Sequence, residues 1–312
     1  MTKTQAELSG LTFGCELEYE GIGKPYAARL IAEVTGGRVE TENDGGVIRT
    51  SVRMRDGRVW SIVRDGSLHG TSCESVTPIL TIEDLPMLEK VVAALRRGGA
   101  IANERTGLHI HVGMRNAEPV AVKNLVRTFY RQEELILKAA GTRENRLERY
   151  TRRTDHSFVE RICRDRNPTW KKLNCDWFGT YKIYFLKYES HRYSALNLNN
   201  LWNDKGTVEF RFWEGTTDQK RVAANVLFCL LLVARAKDAK ASSAKSQRPY
   251  NEASAKYDFR VFLLRLGANG PMFKSMRKIL MANLPGSAAW KDGRHDRPRA
   301  ETEVLTATET NG

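Results

Sequence analysis

The sequence predicts an α+β fold built on an antiparallel sheet. Two observations lead there. Short stretches of alternating apolar and polar residues are interspersed with helical stretches along the whole chain. Those alternating stretches look half-buried, as antiparallel strands are, whereas strands covered on both faces read as continuous apolar runs. A third observation narrows the class. The longest apolar run, Val226 to Ala234, is closed off by Asn225 and Arg235. It falls well short of the roughly 20 residues a membrane span needs, so a spanning protein is excluded.

The first ten residues read as a loose, flexible N-terminus. From Leu11, LTFGCELEYEGI alternates as a strand. Tyr26, Leu30 and Val34 recur at helical spacing between Pro25 and Val34. Gly36-Gly37 and Asp44-Gly45-Gly46 punctuate a turn-rich stretch. Val52 to Val63 reads as a hairpin about Asp56-Gly57, and Cys73 to Leu80 as a further strand. Ile82 to Arg97 carries an apolar stripe at Leu85, Leu88, Val92 and Leu95, and Gly98-Gly99 stops it. In TGLHIHVGM, Leu108, Ile110 and Val112 face one way, and His109, His111 and Gly113 the other. Glu118 to Ala140 is a helix ended by Gly141, and a second helical stretch runs from about Arg143 to Arg164. Lys182 to Glu189 and Ala195 to Leu201 read as extended, and Thr207 to Trp213 as a strand. Asp218 to Lys240 is a long helix with an apolar middle, hence buried. A loop and two short helices follow, up to about Asn283. Residues 11–283 thus form one domain, with 143–190 a basic helical and aromatic insertion. Residues 284–312 are poor in apolar side chains and read as a disordered tail.

The 312 residues carry 50 Lys plus Arg against 37 Asp plus Glu, a formal charge of +13. That excess fits a nucleic acid, an anionic surface, an acidic substrate, or a plainly solvated basic face. Five cysteines without a CxxC pair, and a polar start lacking an apolar core, read as reduced thiols in the cytoplasm.

Four polar clusters fall on strands or strand ends. Glu16 and Glu18 lie two apart, so their carboxylates share a strand face. Such a pair repels unless a cation or proton intervenes; a divalent ion such as Mg²⁺ suits it, and a solvent-facing strand edge is the alternative. His109 and His111 share a face likewise: a metal pair, a packed hydrogen-bonded pair, or a structural zinc. Glu209 and Arg211 place an acid beside a guanidinium that could hold a phosphate in a fork, or form a plain ion pair. Asp65-Gly66-Ser67 exposes an acid and a hydroxyl at a turn, ordinary turn chemistry taken alone, and Glu74 follows on a strand. Together these residues can hold two or more divalent ions and a nucleotide's phosphates. The chain has no GxxxxGK[ST] and no GxGxxG motif, so a nucleotide would bind through metal ions and arginine.

The words FGCELEYEG, VRDGSL, CESVTPIL, TGLHIHVGM, RYSALNLNNL and TVEFRFWEGT, taken in that order, resemble the amidoligase family. That family is related to glutamine synthetase and γ-glutamylcysteine synthetase, carboxylate–amine ligases. The resemblance spans Phe13 to Thr216. It implies a strongly curved antiparallel sheet, helices on its outer face, and a glutamine synthetase-like site in the concave face. It implies metal ligation by Glu16, Glu18, Glu74, His109 and Glu209. It assigns His111 to the nucleotide's phosphates, and Arg211, with Glu209, to the catalytic centre around the transferring phosphoryl group. Arg192 and Asn197 become further nucleotide or substrate contacts, and Asp65 and Ser67 the substrate mouth. The implied reaction uses ATP with Mg²⁺, or Mn²⁺, to join a small-molecule or peptide carboxylate to an amine through an acyl phosphate. Two other readings stay open: a basic nucleic-acid-binding protein on an inactive ligase scaffold, and a phosphotransferase of the guanidino kinase type.

From Arg143 to Lys172 there are ten Lys/Arg and five Asp/Glu, a local net of +5, with Tyr150, Phe158 and Trp170 interleaved. Such a stretch reads as a stacking surface for nucleic acid, as the part that captures an acidic substrate, or as a solvated helical face.

Overall fold

Alternation along each strand gives the sheet one apolar and one polar face, and helices cover the apolar one. The structure is a computed structural model and describes residues 3–45, 47–64, 71–183, 190–240 and 246–291. In chain order the elements are α1 (Lys3–Ser9), β1 (Phe13–Glu20), α2 (Lys24–Thr35), β2 (Arg38–Asp44), β3 (Val47–Arg53), β4 (Val59–Val63), β5 (Ser72–Val76) and α3 (Leu85–Arg97). There follow β6 (Gly107–Gly113), α4 (Pro119–Ala140), α5 (Glu144–Arg149), α6 (His156–Arg164), α7 (Trp170–Phe178), β7 (Leu196–Asn197) and β8 (Thr207–Glu214). The chain continues with α8 (Gln219–Asp238), α9 (Ala255–Arg265) and α10 (Lys274–Leu280).

Among the described residues the strands form one open sheet in the order β2-β3-β4-β5-β1-β6-β8-β7, every neighbouring pair antiparallel. The α+β reading therefore holds. On β1, Phe13, Cys15, Leu17 and Tyr19 are buried in the core, as are Leu108, Ile110 and Val112 of β6. α8 packs on that face: Trp213 of β8 meets Phe228 edge-on at 5.8 Å. The middle of α8 is buried almost throughout, as its composition requires. Asp218 caps its start by accepting from the Lys220 and Arg221 amides. Gly141 ends α4 at a φ of 75°, a left-handed conformation that glycine adopts without strain. No helix among the described residues is long and apolar enough to cross a membrane.

Several local expectations change. Residues 3–9 form α1, with Leu8 fully buried, where the sequence reads as a loose tail. Part of the turn-rich stretch is β2, paired with β3 from Arg38 opposite Arg53 to Asp44 opposite Val47. Its side chains are largely polar and exposed because it is the sheet's edge, so it carries little apolar alternation. The helical stretch from Arg143 breaks into α5 and α6, and only Leu196 and Asn197 of the 195–201 segment are strand. Asn199–Trp202 is instead a 3₁₀ turn. Lys182 and Ile183 lie outside any strand, and residues 184–189 are outside the described residues, as is the tail from 292 onward.

Candidate active site

Sheet order brings three chemistry-bearing strands side by side. β6 lies between β1 and β8, with β5 on the far side of β1. The register then fixes which side chains oppose one another. Glu16 stands across from His109, His111 across from Glu209, Glu18 across from Glu74, and Asn197 across from Glu209. Directly opposed side chains in an antiparallel pair lie within about 5.5 Å at Cβ, close enough to touch.

The contacts follow that grid. Glu16 is the hub: Oε2 lies 2.9 Å from His109 Nδ1 and Oε1 lies 3.1 Å from His111 Nε2. Glu209 Oε1 sits 3.7 Å from His109 Nδ1 and 3.9 Å from His111 Nε2, and it is ion-paired with the Arg211 guanidinium. Its other oxygen accepts from Asn197 Nδ2 at 2.7 Å. Glu18 accepts from the Gly107 amide at 2.6 Å and lies 3.6 Å from His109 Nε2. One donor atom each from Glu16, His109 and Glu209 fall within 4.8 Å of one another, close enough to share a metal ion. Two carboxylates and an imidazole are a donor set for Mg²⁺, Mn²⁺ or Zn²⁺.

A β-bulge shapes the floor. Leu108 pairs with Trp213 and Ile110 with Phe210, so Arg211 and Phe212 together stand against the single residue His109. Strict alternation would turn Trp213 to the same face as Glu209 and Arg211. The extra residue turns it into the core instead and leaves Arg211 on the polar face.

The electrostatics are those of compensated burial. For Glu16, burial pushes the carboxyl up. The His111 charge and the hydrogen bonds with His109 and His111 outweigh it, holding the group well below the usual carboxylate range. Glu209 is buried still more deeply, yet Arg211 and then His111 bring its carboxyl below its ordinary value. Burial alone would lower His111; Glu209 and Glu16 raise it above the ordinary imidazole value. Glu209 likewise lifts Arg211 against its burial. The acids are thus held ionised, which is the form that ligates a cation.

Over these carboxylates opens a cavity of about 310 Å³. Glu16, Glu18, Glu74, His109 and Arg211 line it from the sheet, and Arg105, Arg146, Arg149, Tyr150, Arg192 and Tyr193 from the surrounding segments. The strand residues singled out by sequence are thereby gathered in one place. Asn197 lies beneath, with both polar ends of its side chain engaged: Nδ2 donates to Glu209, and Oδ1 accepts from the Asn199 amide at 3.0 Å. It positions Glu209 and does not line the cavity. Asp65 and Ser67 lie outside the described residues. Glu214 is ion-paired with Arg143 at 2.6 Å, away from the cluster.

A family model described as "putative amidoligase enzyme" matches residues 9–233. The chain belongs to the amidoligase family. Membership points to an amide-bond-forming ligase, and the match takes in every strand of the cavity floor. A search of curated proteins finds no match.

Three residues that touch the side chains or backbone of this amidoligase site leave no mark in the sequence. Gly107 gives its amide to Glu18, and a Cβ there would stand 2.2 Å from Arg146 Nη2. Lys205 sits 3.9 Å from Glu16 Oε1. Arg146, from the basic insertion, donates to the main-chain carbonyls of Thr106 at 3.1 Å and Arg211 at 3.3 Å. The insertion's charge was visible, but nothing local to its sequence says which arginine turns inward.

Proposed function

We propose that this amidoligase is an ATP- and Mg²⁺-dependent carboxylate–amine ligase with a glutamine synthetase-like, concave site. The observation that carries the reading is the convergence of Glu16, His109 and Glu209 within 4.8 Å, with Arg211 ion-paired beside them. A bare carboxylate is a poor acyl donor, and the reaction overcomes this in two steps. An oxygen of the substrate carboxylate attacks the terminal phosphorus of ATP, the bond to ADP breaks, and an acyl phosphate forms. The amine nitrogen then attacks the acyl carbon, phosphate leaves with the bonding electrons, and the nitrogen gives up a proton.

Phosphoryl transfer asks the protein mainly for positioning and charge neutralisation. Glu16, His109 and Glu209 would hold one cation, and Glu18 with Glu74 a second; Mn²⁺ suits the same donors. Bound ions would supply charge neutralisation on the phosphates. Arg211 presents its guanidinium, balanced by Glu209, toward the transferring group. His111, raised above the ordinary imidazole value by Glu209 and Glu16, would meet the nucleotide's phosphates. Asn197 holds Glu209 in place.

The test is ADP release with Mg²⁺ across a panel of carboxylic acids paired with amino acids, peptides and polyamines, with hydroxylamine added to trap acyl phosphate. Turnover with hydroxamate formation is the expected result, with loss of at least about 100-fold in Arg211→Ala and in Glu16→Gln. Turnover that survives both substitutions rejects the site. ADP release without any hydroxamate favours a phosphotransferase.

A further inference from the structure

The insertion reaches the floor of the site through a neutral residue. Trp177, near the end of α7, is 5% exposed. Its ring packs edge-on against Phe158 of α6 at 4.9 Å and lies 5.6 Å from the His191 ring. It is therefore an anchor between α6 and the segment that leads into β7. Phe158, an aromatic that could have belonged to a stacking surface, is buried with it. A buried indole has one polar group, and its N–H needs an acceptor. Trp177 Nε1 donates to Asn199 Oδ1 at 2.7 Å. The Asn199 amide donates to Asn197 Oδ1 at 3.0 Å, and Asn197 Nδ2 donates to Glu209 Oε2 at 2.7 Å. Every link points its donor toward the carboxylate, and all four residues are buried.

The chain admits one orientation of the Asn197 amide. Turned over, its nitrogen would face the Asn199 N–H and its oxygen would face Glu209, donor against donor and acceptor against acceptor. The far end of the chain matters because of how Glu209 divides its two oxygens. Oε1 faces Arg211, His109 and His111, and Oε2 is taken by Asn197. The terminal torsion of a glutamate is broad, so a carboxylate held at one oxygen can turn. Held at both, Glu209 keeps Oε1 toward His109 and Glu16, where a cation would sit. Groups that grip a metal ligand from behind ordinarily tune its affinity for the ion.

We propose that Trp177 and Asn199 are positioning residues for the cation site: through Asn197 they fix the orientation of Glu209, and so the affinity of Glu16, His109 and Glu209 for a divalent ion. The inference rests on the reading of those three residues as cation ligands. Trp177 and Asn199 do not line the cavity and act only through Glu209. The insertion thereby contributes a hold on the floor of the site as well as basic residues at its wall.

The experiment is titration of the intact protein with Mn²⁺ alone, followed by electron paramagnetic resonance, without nucleotide or turnover. The affinity read is that of the site lost in Glu16→Gln. Trp177→Phe keeps an apolar ring and removes the N–H. Asn199→Ala removes the acceptor, keeps the main-chain amide, and stands in if Trp177→Phe does not fold. Each is expected to weaken Mn²⁺ by about three- to tenfold, the worth of one hydrogen bond. Asn197→Ala should cost about 10- to 100-fold. In the Asn197→Ala background Trp177→Phe should cost nothing further, because the link is already cut. Phe158→Leu loosens the same packing but leaves the chain intact, so it should lower the Tm without moving Mn²⁺. The proposal is overturned if Mn²⁺ ignores both Trp177→Phe and Asn199→Ala, if their losses add to that of Asn197→Ala, or if Phe158→Leu weakens Mn²⁺ equally. A second readout separates the two readings: in metal-free protein, Glu209→Gln should shift the Trp177 indole N–H resonance. Mn²⁺ binding that is indifferent to Trp177 keeps the cation site and sinks the chain. A wild type that binds no Mn²⁺, but whose indole resonance answers to Glu209→Gln, sinks the cation site and keeps the hold on Glu209.

Discussion

Glu209 and Glu133 are both buried glutamates, 3% and 0% exposed, and their carboxyl groups shift in opposite directions. Glu209 lies on the sheet beside Arg211 and His111 and is held below its ordinary value. Glu133 lies inside α4 and accepts from the Thr154 amide and hydroxyl, both at 2.7 Å, and from Gln247 Nε2 at 3.0 Å. Those donors are neutral, and the nearby Arg153 is spent on Glu134 and Glu144. Burial therefore wins, and the Glu133 carboxyl is pushed up to about 7. Burial alone does not decide whether a carboxylate is ionised; the charge of its neighbours does. The polar face of the sheet surrounds its acids with cations, and the α4 clamp does not.

The largest effect should come from stripping the counter-charge from Glu209. Arg211→Met is expected to destabilise by about 3–5 kcal/mol in denaturant unfolding, because a buried carboxylate loses its partner. ADP release should fall to background in the same variant. If stability hardly changes, Glu209 is not the compensated anion described above.

The next largest effect concerns Glu133 and has a defined sign. Its carboxyl rises from 4.5 in the unfolded chain to about 7 in the folded one. Below the unfolded value both states are protonated and folding is not penalised. As pH rises from 4.5 to 7 the unfolded chain ionises first, so stability falls, by about 3 kcal/mol in total. Glu133→Gln should remove that loss and be the more stable form above pH 7. Unfolding curves at pH 5 and pH 8 for both proteins decide it, and parallel pH dependence would reject the raised carboxyl.

Gly107→Ala probes the cavity wall. The added Cβ would collide with the Arg146 guanidinium, which is pinned by two carbonyls, at a cost of about 1–3 kcal/mol. A thermal shift measurement checks this; a neutral substitution would mean that Arg146 moves aside freely. The smallest effect should come from Thr169→Ala, which removes the side-chain cap of α7 and touches neither carboxylate. Stability is expected to drop by about 1 kcal/mol, with the pH dependence unchanged.

The α+β class, most of the strands and the polar face follow from residue order alone. A period of two forces Glu16 with Glu18, His109 with His111, and Glu209 with Arg211 onto common faces wherever the chain is extended. The insertion's positive charge was equally plain. Which faces meet is settled by folding, because register and strand order are long-range properties. They set Glu16 against His109 and His111 against Glu209 across gaps of more than 90 residues. The bulge at Arg211 and Phe212 could not be read either: an inserted residue looks locally like any other, and shows itself only against a partner strand. Edge strand β2 carries no period-two signature because an exposed edge needs no apolar alternation. Arg146 is one arginine among many until folding leaves it buried at the cavity wall, held by the Thr106 and Arg211 carbonyls.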